Sequence, residues 1–200
     1  MFKTAVLLLI LMLAACSSSI RMSDEDRQTV QTININKKII LPDEMFYAPP
    51  TGAIIFGVIG AAISIEANRG PGQILASFAR DNGVKIEEIV GKAFIRKMQD
   101  LPGIRLHQKQ YDAQLNIKIE AYGLSSKFGS MSEVKPVLKV GAQLVTKHNK
   151  VLWQNNDYVT EFSDLTPSLT VESLTTNPDG LKKAWEAVAD VVVTNILNTM

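Results

Sequence analysis

Residues 112–153 read DAQLNIKIEAYGLSSKFGSMSEVKPVLKVGAQLVTKHNKVLW. Leu115, Ile117 and Ile119 alternate with Asn116, Lys118 and Glu120. A period of two places apolar side chains on one face of a strand and polar ones on the other. The alternation ends at Tyr122-Gly123, and the polar, glycine-bearing stretch Ser125 to Glu133 reads as a mobile loop. A second strand follows, with Leu138, Val140, Ala142 and Leu144 as its inward set. His148-Asn149 forms a tight connection, and Val151-Leu152-Trp153 begins a return strand. Strands joined by short turns in this way predict an antiparallel meander.

On the C-terminal side, residues 162–176 mix Ser, Thr and Asp with Leu165, Leu169, Val171 and Leu174, which reads as a loop with some short helix. Asn177 is placed to cap a final helix, with Pro178 at its first position. Leu181, Ala184, Trp185, Val188, Val191, Val192, Ile196 and Met200 run along one face of that helix. On the N-terminal side, Ile104 to Gln110 reads as a short strand after the Pro102-Gly103 break. A helix is predicted from about Lys85 to Leu101, with Ile86, Ile89, Val90, Ala93, Phe94, Met98 and Leu101 on one face for core packing. Ile74, Leu75, Phe78 and Ala79 predict another helix that stops at Asn82-Gly83. Gln28 to Leu41 reads as a strand, because Ile33 and Ile35 alternate with Asn34 and Asn36. This order predicts an α+β fold in one domain, residues 28–200. Its sheet is mostly antiparallel, with about four strands and helices on one face.

Thr51 to Ile65 reads TGAIIFGVIGAAISI, an uncharged segment rich in Gly, Ala and Ile. At helical spacing Ala53, Gly57 and Ala61 fall on one side. Small residues four apart allow another backbone to approach closely. Gly52, Gly57, Gly60 and Ala61 are therefore candidate close-packing or membrane positions. Three readings stand: the segment packs on its own domain, it self-associates, or it enters a membrane. At 15 residues it is short for a bilayer span.

Composition excludes several classes of function. The chain has 200 residues, 21 Lys+Arg and 20 Asp+Glu. A nearly neutral surface lacks the clustered cations of a general nucleic-acid binder. Cys16 is the single cysteine, so no disulfide forms within one chain. His107 and His148 have no partner at metal-ligand spacing. There is no Gly-x-Ser-x-Gly elbow, P-loop, dinucleotide fingerprint or calcium loop. Asp157, Glu161 and Asp164 share a region of the chain, but paired carboxylates act only at a suitable separation inside a cleft. The expectation is a non-enzymatic protein with no catalytic residue, cofactor or metal.

The N-terminus carries an address. Lys3 precedes an apolar run from Ala5 to Leu13, and Leu13-Ala14-Ala15-Cys16 follows. This tetrad resembles the lipobox of bacterial lipoproteins. The resemblance implies a signal peptide of residues 1–15, cleavage before Cys16, a diacylglycerol thioether on its sulfur and an acyl chain on its new amine. Residues 16–27, with Ser17 to Ser19 and the charged run from Asp24, read as a flexible tether. By resemblance to Gram-negative lipoproteins, Ser17 implies outer-membrane anchoring with the domain facing the periplasm. Residues 112–153 also resemble the sheet of auxiliary lipoproteins of ABC-type lipid transporters and of other envelope-assembly lipoproteins. That resemblance implies a partner-binding component of an envelope transport or assembly system. The alternative is a membrane-inserting or oligomeric pore or secretion subunit that uses residues 51–66.

Overall fold

A computed structural model describes residues 19–48, 70–130 and 132–200. The lipobox with Cys16, and the candidate positions Gly52, Gly57, Gly60 and Ala61, lie outside the described residues. In chain order the elements are helix α1 (Asp24–Thr29), strands β1 (Thr32–Ile35) and β2 (Phe46–Ala48), and helices α2 (Pro71–Asp81) and α3 (Ile86–Gln99). Strands β3 (Arg105–Leu106), β4 (Ala113–Ser126), β5 (Glu133–Thr146), β6 (Val151–Val159) and β7 (Leu169–Thr170) follow. A 3-10 helix (Val171–Thr175) and helix α4 (Pro178–Leu197) complete the described fold.

The meander is present as β4, β5 and β6, paired antiparallel. Leu115, Ile117 and Ile119 of β4 meet Leu144, Ala142 and Val140 of β5, and all six are buried. The sheet as a whole departs from the expected four mostly antiparallel strands. It has seven strands in the order β3-β1-β4-β5-β6, with β2 also on β4 and β7 also on β5. It is mixed, because β1 pairs parallel with both β3 and β4, and β2 pairs parallel with β4. Parallel neighbours need crossover connections, and α2 and α3 lie between β2 and β4 in the chain.

The free edge of β4 is covered in pieces by one stretch of chain. Residues 33–35 pair with 113–115, Ile40 bridges Lys118, and residues 46–48 pair with 123–125. Asp112 fixes the register at the start. Its Oδ2 accepts from the Thr32 hydroxyl at 2.7 Å, from the Thr32 N–H at 2.9 Å and from the Gln31 N–H at 3.1 Å. β4 does not end at Tyr122-Gly123 but continues to Ser126. Gly123 is needed there because Phe46 of β2 lies directly over it. A Cβ at that position would meet the Phe46 carbonyl at 2.3 Å and its ring at 2.5 Å.

Helix α4 begins as its sequence predicts. The Asn177 side chain accepts from the Gly180 N–H at 2.8 Å, and Pro178 opens the helix. It lies on the apolar face of β5 and β6, and α3 packs beside it. Trp153 of β6 is fully buried and donates its indole N–H to Thr199 at 3.2 Å. Asn155 donates to the Ile196 carbonyl and the Thr199 hydroxyl, and Asn195 donates to Asp157 at 2.7 Å. Polar side chains on the helix face of β6 are thus satisfied by α4 and by Thr199 just after it. Trp185 of α4 meets Tyr122 edge to face, with ring centroids 6.2 Å apart.

Residues 20–27, read from sequence as part of a flexible tether, are bonded to the domain. Ile20 and Gln154 exchange both backbone hydrogen bonds, at 2.8 and 2.9 Å, on the outer edge of β6. Met22 is buried in the core cluster. Ser23 caps α1 by accepting from the Asp26 N–H, and Lys150 pairs with Asp26 at 3.0 Å. The charged composition concealed this docking because one buried methionine and two backbone bonds carry it.

Candidate functional site

An apolar concavity lies between α3 and the β1–β3 edge of the sheet. It is a groove of about 430 Å³. β1 presents Ile33 and Ile35 to the helix side, the face shared with their β4 partners Ala113 and Leu115. Ile33 is fully buried, and Ile35, Ile39 and Leu106 pack against the core while lining the groove. The facing wall is the side of α3 that carries Glu88, Gly91, Lys92 and Ile95 at helical spacing. A Cβ on Gly91 would stand 3.1 Å from Ile39 Cδ1, so the missing side chain lets the wall come close to the floor. Ile95 is 43% exposed on this otherwise polar side.

Charge rims the groove. Lys85 and Glu88 pair at 2.9 Å. The shared hydrogen bond holds the Glu88 carboxyl below its usual range and raises Lys85. Lys37, Lys92 and His107 also contribute to the lining. His107 Nδ1 accepts from the Gln110 N–H at 3.0 Å, which uses that nitrogen to close a turn. The chemistry on offer is an apolar floor with a mixed-charge rim, suited to holding an apolar side chain or a short amphipathic segment.

A neighbouring polar hollow is lined by Thr32, Arg105, Tyr111, Asp112 and Lys147. Its carboxylate is already engaged, since Asp112 serves β1 as described. Those bonds, led by the Thr32 hydroxyl, hold it below the ordinary carboxylate range. Lys147 Nζ sits 5.3 Å from the centre of the Tyr111 ring. The solvent-facing side of the sheet carries a row of carboxamides. Asn36 and Gln114 both donate to Asn116 at 3.0 Å, and Gln143 donates to Gln154 at 3.0 Å. Glu120 pairs with Lys139 at 2.8 Å beside them.

The residues considered for chemistry do not converge. Asp157 faces Asn195 of α4, whereas Asp164 is exposed in the loop after β6. His148 lies in the β5–β6 turn. Among the described residues there is no group of three or more His, Cys, Asp or Glu able to hold a metal ion. Among them, too, no helix is long and apolar enough to cross a membrane. The groove itself was missed in the sequence. Its signal was Ile95, an isoleucine outside the apolar stripe of α3, which core packing does not explain.

No family model matches the chain, and no curated protein matches it in sequence. Thirteen chains of solved structures align with it, among them the following two. One is protein XCC0632 from Xanthomonas campestris, described with the family model DUF330. It is 12% identical with a TM-score of 0.46, over 84% of this chain and 81% of that one. The other is a PelC dodecamer from Paraburkholderia phytofirmans, 11% identical with a TM-score of 0.37, over 92% of each chain. At these values neither transfers a residue role or an activity to this chain.

Proposed function

We propose that this protein is a lipid-anchored envelope protein, held to the outer membrane through Cys16, whose periplasm-facing domain acts by binding a protein partner rather than by catalysis. The observation that carries the binding role is the groove between α3 and β1, with Ile95 exposed at its rim and an apolar floor of Ile35, Ile39 and Leu106. The lipobox resemblance of Leu13-Ala14-Ala15-Cys16 supports the anchor.

The test places a photo-activatable amino acid at Ile95 in the full chain, in cells, with Lys182 on the exposed side of α4 as control. A discrete adduct at position 95 and none at 182 is expected. A folded protein that gives no adduct at 95 ends the groove reading. In parallel, labelled palmitate should enter the wild type and be absent from Cys16→Ala.

The second reading is a self-associating or membrane-entering role for residues 51–66. The described residues on either side of that stretch meet. Gly72 packs against the Met45 backbone, a Cβ there falling 1.9 Å from the Met45 carbonyl oxygen, so α2 starts beside the strand β2 that precedes the apolar stretch. Gly57→Leu tests it. A changed oligomeric state, or loss of tight membrane association, favours this reading over the groove.

A further inference from the structure

We infer that the loop end of β4, β5 and β6 is the surface on which the domain rests against the bilayer, through Phe128, Phe162 and Leu165. The inference rests on the reading of Cys16 as the lipid anchor and adds an orientation to it.

Three of the most exposed large apolar side chains gather at one end of the molecule. Phe128 is 83% exposed, Phe162 67% and Leu165 70%. They come from two loops. Phe128 lies in the β4–β5 connection, and Phe162 and Leu165 lie in the loop after β6. Antiparallel pairing brings the two together, because β4 ends at Ser126, β5 starts at Glu133 and β6 ends at Val159. The Phe128 and Phe162 rings are 6.2 Å apart, centre to centre. Exposed apolar clusters of this kind mark protein or membrane interaction surfaces, and Phe and Leu are side chains that interfacial segments bury at the headgroup–acyl boundary.

The loops are held in shape. Lys135 of β5 is buried and donates to the Ser163 carbonyl at 2.6 Å. Buried Thr166 donates to the same oxygen at 3.1 Å. The Ser163 N–H returns to the Thr160 carbonyl at 3.1 Å. Across the gap, Lys127 pairs with Glu133 at 2.7 Å, and the Ser130 hydroxyl accepts from the Glu133 N–H. A buried lysine spent on a loop carbonyl fixes Phe162 and Leu165 facing outward.

The anchor point identifies the occupant. Ile20 pairs antiparallel with Gln154 of β6. Toward its N-terminus the chain therefore leaves this bridge in the direction in which β6 runs, to Val159 and the loop bearing Phe162. Cys16 is four residues before Ile20. Its Cα thus lies within about 14 Å of Ile20, the fully extended reach. The same count along β6 from Gln154 arrives at Tyr158, 61% exposed. The opposite end of the sheet, at His148 and Asn149, holds α1 through the Lys150–Asp26 pair. An acyl anchor on so short a lead brings the aromatic end to the bilayer surface, and the strands of the meander then stand away from it.

The test uses the full-length acylated protein in vesicles of equimolar phosphatidylethanolamine and phosphatidylglycerol. Because Cys16 is the single cysteine and its sulfur is blocked by lipid, Leu165→Cys and His148→Cys can each carry one nitroxide. Mass analysis of the N-terminal peptide records acylation in the same samples. The expected result is a Leu165→Cys label relaxed by oxygen and shielded from a water-soluble nickel chelate, with the reverse at His148→Cys. Adding Phe128→Asp and Phe162→Asp should turn the Leu165→Cys label aqueous while acylation persists. An aqueous label at Leu165→Cys on acylated protein overturns the inference and leaves the anchor standing. A label shielded from both relaxants, or broadened by a second label, assigns the patch to a protein contact and also overturns it. Cys16 without acyl groups overturns both readings.

Discussion

Asp112 illustrates what one side chain does in this fold. Its carboxylate gathers the Thr32 hydroxyl and the N–H groups of Thr32 and Gln31, so it holds β1 against β4 where no short turn joins them. These donors favour the charged form, and the folded carboxyl lies below its usual range. In the unfolded chain it returns to about 3.9. Its stabilisation is therefore complete above that value and is lost as pH falls through the lower folded value. Asp112→Asn should lower stability by about 1 kcal/mol at neutral pH, a modest figure because the site is solvent-screened. The difference from wild type should shrink below about pH 4, and denaturant melts at several pH values would show whether it does. Gly123 is the other decisive residue. With Phe46 backbone and ring within 2.5 Å of any Cβ, Gly123→Ala must displace β2 or bend β4. A loss of about 1–3 kcal/mol is expected in thermal or denaturant unfolding. An unchanged midpoint would mean that β2 moves without resistance.

Among the elements, those with a long and regular pattern were legible in the sequence. β4 and β5 were read from Leu115–Ile119 and Leu138–Leu144, and α4 from its Asn177-Pro178 start and apolar stripe. Each buries one periodic face, and burial is what writes the period. The short parallel strands left no such trace. β2 has three residues, none of them buried, and only its register against residues 123–125 reveals it. β3 has two residues. The expected strand from Gln28 to Leu41 was right about Ile33 and Ile35, but β1 spans only Thr32–Ile35, and Gln28 and Thr29 belong to α1. That helix is announced by Ser23 and Asp26, a cap that the charge run obscured. The groove wall was equally hard to see, because Gly91 and Ile39 are far apart in the chain and meet only after β1 has crossed to β4. The docked N-terminal segment yields its own prediction. Ile20→Pro removes the donor to the Gln154 carbonyl and should weaken the attachment by about 1 kcal/mol. Trypsin should then cut after Arg21 and Arg27 several-fold faster while the midpoint of the domain changes little. Equal cleavage rates would show that Met22 and the Lys150–Asp26 pair suffice.

For the whole molecule, the proposed lipid anchor raises the question of which contacts would hold the domain at a membrane and which would set its orientation. The aromatic end offers three side chains from two loops, and all of them leave part of their surface on the protein. Even full burial of three such side chains is worth about 1.5–3 kcal/mol each, and partial burial less. Against this stands the loss of translational and rotational freedom on association, estimated at about 4 kcal/mol or more. The patch alone should therefore bind only weakly. Acyl chains contribute about 0.8 kcal/mol per buried methylene, and two or more chains give stable anchoring. Cys16→Ala should consequently move the protein from the membrane fraction to the soluble fraction. Phe128→Asp with Phe162→Asp should leave fractionation unchanged and alter only the orientation of the domain. The two variants thus separate attachment from alignment. If Cys16→Ala stays tightly membrane-bound through a carbonate wash, three surface side chains are too weak to account for it. The anchoring role would then pass to residues 51–66, which include the uncharged apolar run from Thr51 to Ile65.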